Sequence, residues 1–275
     1  MSTAVVYRWS GDGLVELDYR DSPKEKVDVA DSLLVTDGMA FALGMHRERF
    51  TAAAHTFGQH LDGYSDAVVN RVWDAAFRMI PPTGDWFPRV ELRSLHGAAH
   101  FGYRHRTAPK LDRTVRLISH SGPDPRRVPS IKGPDLDVLL SARVRAKAQG
   151  ADDVALLTSD GYVIDAGTSA LVWWRGGILC APPEGKDDAK FARVDSVTAK
   201  SLFGLAAALG VETHRERVTP AELDGTEVWA LNALHGIRIV TGWAHGPELA
   251  ELPGRIGVWR ERRHVLRQPI GEQTQ

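Results

Sequence analysis

The segment SGPDPRRVPS, residues 121–130, is the feature that most constrains how this chain folds, because it holds three prolines and no apolar period. Proline fixes φ and removes a backbone donor, so a regular helix or strand is not expected to run through such a segment. A length of 275 residues also suits two domains of ordinary size. We therefore expect an N-terminal α/β domain over 1–122, a linker over 123–130 and a C-terminal α/β domain over 131–275.

The composition is that of an ordinary globular protein, with 43% hydrophobic and 25% charged residues. The formal net charge of -1 gives no support for a nucleic-acid partner or an anionic membrane surface. The sequence has no apolar run of membrane-spanning length, and its first residues do not resemble a signal peptide. Cys180 is the single cysteine, which excludes an internal disulfide and a CxxC metal site. We expect a cytoplasmic protein without a bound metal.

Turn signals divide both halves into short elements. In the first half AVVYRW and LVELD flank SGDG, and SLLVTDGMAFAL repeats the pattern around Asp37-Gly38, so both stretches predict hairpins. Helices are predicted from about His46 and over SDAVVNRVWDAAFRMI. In the second half, Asp135 is expected to cap a helix that reaches Gln149, and SVTAKSLFGLAAALG predicts another helix that ends at Gly210. Apolar runs around SDG and GG are typical of strands.

Lys132 stands between Pro129 and Pro134, immediately before the helix that begins near Asp135. Residues before proline favour an extended backbone, so the lysine is expected to emerge from a restricted segment. Burial of a lysine amine disfavours the ammonium form and leaves a nucleophile that can form a Schiff base with an aldehyde. Taken alone, the pattern is also compatible with a solvated lysine at a domain linker.

Three further features of the sequence each have a chemical and a purely structural interpretation. Ser196 and Thr198 open a helix, where free N–H groups bind anions or are simply capped. Arg49 follows His46 by three residues on one helix face and has the planar fork that binds phosphate, although a solvated arginine fits the pattern as well. Asp165 lies in the apolar run GYVIDAG, either as a buried carboxylate that needs a cation or as a strand-end residue at a turn.

Together these segments resemble the class IV aminotransferases, the fold type IV enzymes that use pyridoxal 5′-phosphate (PLP). That family includes branched-chain aminotransferases, D-amino-acid aminotransferases and 4-amino-4-deoxychorismate lyases. The resemblance spans about residues 27–240 and rests on five stretches in the family's order: LGMHRERFTAAA, PSIKGPDLDVLL, GADDVALLTSDGYVIDAGTSALVWWRGGILCAPP, SVTAKSLFGLAAALGV and EVWALNALHGIRIV. It implies a two-domain α/β fold with the cofactor in the interdomain cleft, and a homodimer as the working unit.

The resemblance also implies roles for individual residues. Lys132 would bind PLP covalently and then move the proton between the substrate Cα and the cofactor. Arg49 would bind the cofactor phosphate together with the helix start at Ser196, Val197 and Thr198. Asp165 would face the pyridine nitrogen, where the family has a glutamate.

Two more positions follow from the same resemblance. Arg89, in FPRVELR, falls near an arginine that binds the substrate carboxylate in the branched-chain enzymes. Ala233, in LNALHGIRIV, falls in a segment that contacts the cofactor and is more similar to the deoxychorismate lyases than to the branched-chain transaminases.

The implied activity is PLP-dependent transfer of an amino group between an amino acid and a 2-oxo acid through a lysine aldimine, with small molecules as the substrates. One alternative is a 4-amino-4-deoxychorismate lyase that releases p-aminobenzoate and pyruvate, and another is a non-catalytic homologue that only binds PLP. The chain departs from the family pattern at several positions: Asp137 for tyrosine, Asp165 for glutamate, Ala170 for asparagine, Ser196 for glycine and Ala199 for arginine. These departures leave the substrate open.

Overall fold

A computed structural model describes residues 4–18 and 27–271. They form two compact units that do not coincide with the two halves of the sequence. The first unit contains the described residues of Met1–Leu111, Ile131–Pro134 and His264–Gln275, and the second contains Asp112–Ser130 and Asp135–Arg263. This division differs from the boundaries expected at 122, 123–130 and 131. The chain leaves the second unit after Ser130, contributes four residues to the first unit, and returns at Asp135.

The first unit is built from two antiparallel sheets and two helices within the described residues. Strands β1 and β2 pair with β8, β7 and β3 in the order β2-β1-β8-β7-β3, and the second sheet has the order β17-β5-β4-β6. The bounds of these elements are β1 Val5–Trp9, β2 Leu14–Glu16, β3 Val29–Ser32, β4 Val35–Thr36, β5 Met39–Phe41, β6 Asp85–Trp86, β7 Arg89–Leu95, β8 Ala98–His105, β17 Arg267–Pro269, α1 Leu43–Gly58 and α2 Asp66–Arg78.

Local sequence explains most of these elements. Both predicted hairpins are confirmed, as β1 pairs with β2 and β4 pairs with β5 across Asp37-Gly38, whose φ angles are positive. Ser65 caps α2 by accepting a hydrogen bond from the Val68 N–H at 3.2 Å. Helix α1 begins at Leu43, three residues before the predicted start, because Leu43 is buried and belongs to the helix's core-facing side.

The second unit contains one sheet of eight strands in the order β11-β10-β9-β16-β15-β12-β13-β14. Its pairings are mixed: β9 runs parallel to β10 and β16, and β13 runs parallel to β14, while the other pairs are antiparallel. The bounds are β9 Thr114–Ser119, β10 Asp153–Leu157, β11 Val163–Ala166, β12 Ala170–Arg175, β13 Ile178–Ala181, β14 Thr213–Arg215, β15 Glu227–Asn232, β16 Gly236–Ala244, α3 Leu136–Ala148, α4 Val197–Ala208 and α5 Arg255–His264, with short 3-10 turns at Ala189–Phe191 and Ala221–Leu223.

Strands β12 and β15 of this sheet are apolar on both faces, because their side chains alternate between two cores. Leu171 and Trp173 belong to one core, whereas Val172, Trp174 and Trp229 belong to the other, with residues of α4 and α5. Burial on both sides explains why these strands appear in the sequence as continuous apolar runs. The result is a mixed α/β architecture, as expected.

The cap expected at Asp135 takes a different form. Asp135 occupies the position before α3, but its carboxylate makes no hydrogen bond to the helix's own N–H groups. Instead it accepts from the Arg127 N–H at 3.0 Å and the Val128 N–H at 2.9 Å. The carboxylate therefore fixes the proline-rich segment. The sequence did not show that N–H groups of this segment would take the place of the helix's own N–H groups at the Asp135 carboxylate.

A helix of the length and apolar character needed to cross a membrane is not found among the described residues.

Candidate functional site

Lys132 is held in the first unit by its own main chain. The Ala30 N–H, on β3, donates to the Lys132 carbonyl at 2.6 Å. Gly133 has a φ of +152° and lies against β3 so closely that a Cβ there would be 2.6 Å from the Asp28 carbonyl oxygen. The glycine and the hydrogen bond therefore dock the lysine-bearing segment against a strand. The same contacts explain why residues 131–134 belong to the first unit.

The Lys132 amine lies in surroundings that disfavour its charged form. The residue is half-buried, and burial of the amine is the main cause that lowers its pKa from 10.5 to about 8. The Arg49, Arg89 and Arg106 guanidinium groups lower the pKa further, and the Asp31 carboxylate opposes them. Among the described residues the amine has no hydrogen-bond or ion-pair partner, so its lone pair is available for a reaction at mildly alkaline pH.

Asp31, which the sequence did not single out, is the central anion beside Lys132. It is 1% exposed, and its Oδ2 lies 2.7 Å from Nε and Nη2 of Arg49. Its Oδ1 lies 2.7 Å from His46 Nδ1, so that nitrogen carries the hydrogen it donates. Burial opposes ionisation, but Arg49 and His46 together hold the pKa of Asp31 below its usual value. Burial is also the main cause that lowers the pKa of His46.

Arg49 is therefore positioned by a carboxylate on a strand, not by its own helix alone. His46 and Arg49 lie on the same face of α1, as their spacing predicts. Two hydrogen bonds to Asp31 fix the guanidinium of Arg49, whose side chain is 16% exposed. A guanidinium oriented in this way has the planar geometry that binds an anion such as a phosphate.

Arg89 belongs to a cluster of arginines around one buried carboxylate. Glu91 is 1% exposed and accepts from Arg89, from Arg93 at 2.7 Å and from Arg104 at 2.7 Å. Because Arg89 and Arg104 are opposite each other on β7 and β8, Glu91 offsets a like-charge contact. Despite burial, which opposes ionisation, the three arginines keep the pKa of Glu91 below its usual value. Glu91 was also missed by the sequence analysis.

In the second unit, Asp165 is a buried carboxylate with an unused acceptor. It lies on β11, and its Oδ1 has no hydrogen-bond partner in the described part of the chain. The nearest cation is Arg126, whose Nη1 is 3.9 Å from Oδ2 and which is held by Asp124. Burial raises the pKa of Asp165 to about 7, although Arg126 and Arg193 partly oppose the shift. Of the two interpretations of this residue, the structure supports the buried carboxylate.

The start of α4 has the donors expected of an anion site. Ser196 is the N-cap, and its Oγ accepts from the Ala199 N–H at 3.2 Å. Val197 and Thr198 are each 3% exposed, and their N–H groups have no hydrogen-bond partner among residues 4–18 and 27–271. Buried donors without a partner are costly, which favours an anion at this position.

Ala233 lies in the tight turn between β15 and β16. Asn232 Oδ1 accepts from the Leu234 and His235 N–H groups at 3.1 and 2.8 Å, and its Nδ2 donates to Ser169 Oγ at 3.0 Å. The turn is thereby fixed to the segment that follows β11, within the same unit as Asp165.

A scan against known families shows what these residues belong to. The model of amino-transferase class IV matches residues 28–243, which is most of the chain. This chain belongs to the class IV aminotransferase family. It is therefore an enzyme of the PLP-dependent type. A search of curated proteins found no match.

Solved structures share the class IV fold at low identity. A hypothetical aminotransferase from Mycobacterium tuberculosis in a PLP-bound form superposes with a TM-score of 0.74 at 21% identity, over 96% of this chain and 98% of that one. A branched-chain aminotransferase from Thermoproteus uzoniensis with norvaline gives 0.78 at 18%, over 98% and 100%. A Legionella pneumophila protein provisionally named as a 4-amino-4-deoxychorismate lyase gives 0.72 at 16%, over 90% and 97%.

Taken one at a time, these groups have the chemistry that the parts of PLP require. An amine with a lowered pKa suits its aldehyde, the unpartnered Asp165 Oδ1 suits its ring nitrogen, and the free N–H groups at Val197 and Thr198 suit its phosphate.

Asp31 and Glu91 gave only a weak sequence signal. Each stands on a strand among apolar residues, and such a carboxylate must be paired with a cation.

Proposed function

We propose that this chain transfers an amino group from an amino acid to a 2-oxo acid, with Lys132 as the catalytic residue. The observation that carries the proposal is the Lys132 amine, which has a pKa of about 8 and no competing partner in a chain of this family. When bound, PLP supplies an aldehyde that reacts with amines and a ring that accepts electron density from the substrate Cα.

Lys132 would have two tasks in this reaction. Its Nζ would hold PLP through the aldehyde of the cofactor, and this requires the unprotonated amine. With the substrate bound, Nζ would also be the base that removes the proton from the substrate Cα and later returns a proton. The docked backbone of residues 131–134 limits the positions that Nζ reaches, and so favours transfer over loss of the proton to water.

The other predicted residues would bind and orient the cofactor and the substrate. Arg49, fixed by Asp31, would bind the phosphate, as would Ser196, Val197 and Thr198 at the start of α4. Asp165 would share a proton with the ring nitrogen through its free Oδ1.

Arg89 would bind the substrate carboxylate, because Glu91 holds its guanidinium in place on β7. Ala233 would contact the cofactor from a turn that Asn232 keeps fixed. Both roles rest on the family resemblance together with these local contacts.

The test begins with the purified protein and added PLP. An absorbance band in the near-ultraviolet or visible range, followed by borohydride reduction and peptide mapping, should place the label on Lys132. Lys132→Ala and Lys132→Arg should both lack the band, since neither side chain offers a primary amine. A label on another lysine would contradict the assignment.

A panel of amino donors with 2-oxoglutarate or pyruvate then tests the reaction. Transfer of an amino group supports the proposal. Release of p-aminobenzoate from aminodeoxychorismate, without transfer to any oxo acid, would instead establish the lyase, which the segment LNALHGIRIV favours. We also propose a homodimer on the basis of the family resemblance, which sedimentation of the purified protein tests.

A further inference from the structure

The proline-rich segment 121–130 holds a buried arginine, Arg126, through its own aspartate. Asp124 stands between Pro123 and Pro125, whose rings restrict the backbone on either side of it. Its carboxylate accepts from the main-chain N–H of Arg126 at 3.0 Å, from Nε at 3.0 Å and from Nη2 at 2.6 Å. The Arg126 side chain is only 4% exposed. The segment therefore does more than connect two parts of the chain, because it fixes a cation inside the second unit.

The third guanidinium nitrogen of Arg126 lies beside Asp165. Nη1 is 3.9 Å from Asp165 Oδ2, which is too long for a hydrogen bond but within the range of an ion pair. Nη2 also donates to the Ala192 carbonyl at 3.3 Å, on the segment that leads to α4. Arg126 thus places its charge next to the carboxylate without using the Oδ1 acceptor, which has no hydrogen-bond partner in the described residues.

Asp31 shows what direct contact with an arginine does to a buried carboxylate of this chain. Arg49 and His46 contact the two Asp31 oxygens at 2.7 Å, and the pKa of Asp31 is held below its usual value. Asp165 is also buried, but its cation is more distant, and burial raises its pKa to about 7. The greater distance leaves Asp165 with an open acceptor and with a charge that depends on Arg126.

Other charged groups act on Asp165 from neighbouring elements, and their effects are smaller. Arg193, before α4, also lowers the pKa of Asp165, whereas Asp153 on β10 raises it. The Arg193 guanidinium is engaged by main-chain carbonyls and donates to that of Pro183 at 2.6 Å. Among the charged neighbours, Arg126 therefore has the strongest influence on the Asp165 carboxylate.

We propose that Arg126 is a positioning residue, which stabilises the Asp165 carboxylate from its Oδ2 side and keeps Oδ1 open for the ring nitrogen of the cofactor. The inference rests on the proposed function, in which Asp165 binds that nitrogen. Arg126 acts through Asp165 and not on the cofactor itself. Asp124 sets the strength of this effect, since a guanidinium shared between two carboxylates stabilises each of them less.

The first test follows the Asp165 carboxyl group in the protein freed of PLP. Aspartate labelled with ¹³C at the side-chain carboxyl gives an NMR signal for Asp165, which Asp165→Asn identifies by its loss. Wild-type Asp165 should titrate with a midpoint near pH 7. Arg126→Gln should raise this midpoint by about one unit or more, the effect of losing a cation at this distance. Arg126→Lys, which keeps the charge, should give an intermediate midpoint.

Asp124→Asn provides a change of opposite sign. It removes the counter-ion of Arg126, so the midpoint of Asp165 should fall. The matched control is Arg217→Gln, because Arg217 is an exposed arginine of the same unit that pairs with Asp188 at 3.0 Å, and its loss should leave the midpoint unchanged. An unchanged midpoint in Arg126→Gln would overturn the proposal. If that variant does not fold, a midpoint in Asp124→Asn that rises or stays the same would overturn it instead.

The second test asks whether Arg126 affects PLP binding through Asp165. Titration with PLP gives the dissociation constants of the wild type, Arg126→Gln, Asp165→Asn and the double variant. Arg126→Gln should weaken binding about fivefold or more on its own and should have little effect in the Asp165→Asn background. Equal weakening in both backgrounds would show that Arg126 only stabilises the fold, which contradicts the proposal.

This proposal and the proposed function can fail separately. The midpoint of Asp165 is measured without cofactor or substrate, so it decides the role of Arg126 even if the amino-donor panel shows no transfer. Unaltered PLP affinity in Asp165→Asn would contradict the place of Asp165 in the proposed function. An unchanged midpoint in Arg126→Gln would contradict the role of Arg126 alone.

Discussion

The Lys132 amine should react with electrophiles at a pH where an ordinary lysine is almost inert. Its pKa is about 8 instead of 10.5. At pH 7.5, roughly a quarter of an amine with a pKa of 8 is unprotonated, against about 0.1% for a pKa of 10.5. The reactive fraction is thus about 200-fold larger at this pH, which is sufficient to distinguish one lysine within a tryptic digest.

Asp31→Asn is the informative perturbation, because Asp31 is the carboxylate that stabilises the Lys132 ammonium. Its removal should lower the pKa of Lys132 further, so the pH at half-maximal labelling should move below 8. Asparagine has nearly the same shape, which limits the change to charge and hydrogen bonding. The matched control is Asp74→Asn, which removes the carboxylate that pairs with Arg47 on α1 and should not alter the labelling.

The assay labels the cofactor-free protein with a small amine-reactive reagent between pH 6 and 10 and quantifies each lysine by mass spectrometry. Exposed Lys147 serves as the internal reference. A half-maximal pH near 10 for Lys132 would refute the reasoning from burial and neighbouring cations. A rise of that pH in Asp31→Asn would show that the carboxylate acts with the opposite sign.

Three further changes test the rest of the site. Asp165→Asn should leave the fold intact, since Oδ1 has no partner to lose, but should weaken PLP binding and lower kcat about a hundredfold, as loss of one electrostatic contact to a reacting group does. Ser196→Ala should cost about 1 kcal/mol of stability through loss of the cap and should also weaken PLP binding. Gly133→Ala should abolish labelling of Lys132 by PLP and borohydride, because the new Cβ would lie 2.6 Å from the Asp28 carbonyl oxygen.

Each change has a measurement and a control. Titration with PLP and turnover assays measure the effect of Asp165→Asn. An unaltered affinity for PLP would show that Asp165 does not bind the cofactor. Ser65→Ala removes the equivalent cap from α2, so a similar shift in Tm with normal PLP affinity is expected there. Gly122→Ala is the control for Gly133→Ala, because it introduces backbone strain without a steric clash. Gly122 also has a positive φ, but no atom lies within 4 Å of its Cβ position. Equal effects at Gly122 and Gly133 would contradict the docking argument.

The local elements and several site positions were predictable from the sequence because they depend on near neighbours. Turn residues at Asp37-Gly38 and an N-cap serine at Ser65 act within four residues, so they predict hairpins and helix starts directly. The prolines around Lys132 likewise identified a restricted lysine. The family resemblance followed from the order of such local motifs along the chain.

The pairing of charges was decided only by the tertiary structure, because it joins residues far apart in sequence. Asp31 pairs with Arg49 because β3 lies beside α1, and Glu91 collects Arg89 and Arg104 because β7 pairs with β8 in one register. The sequence also gave no reason to place Lys132 in the first unit. A hydrogen bond from β3 and the close approach of Gly133 place it there, and main-chain contacts of this kind leave almost no signal in side-chain patterns. Sequence thus determined which chemical groups were available, while long-range packing determined which of them are buried together and, through desolvation and charge, what their pKa values become.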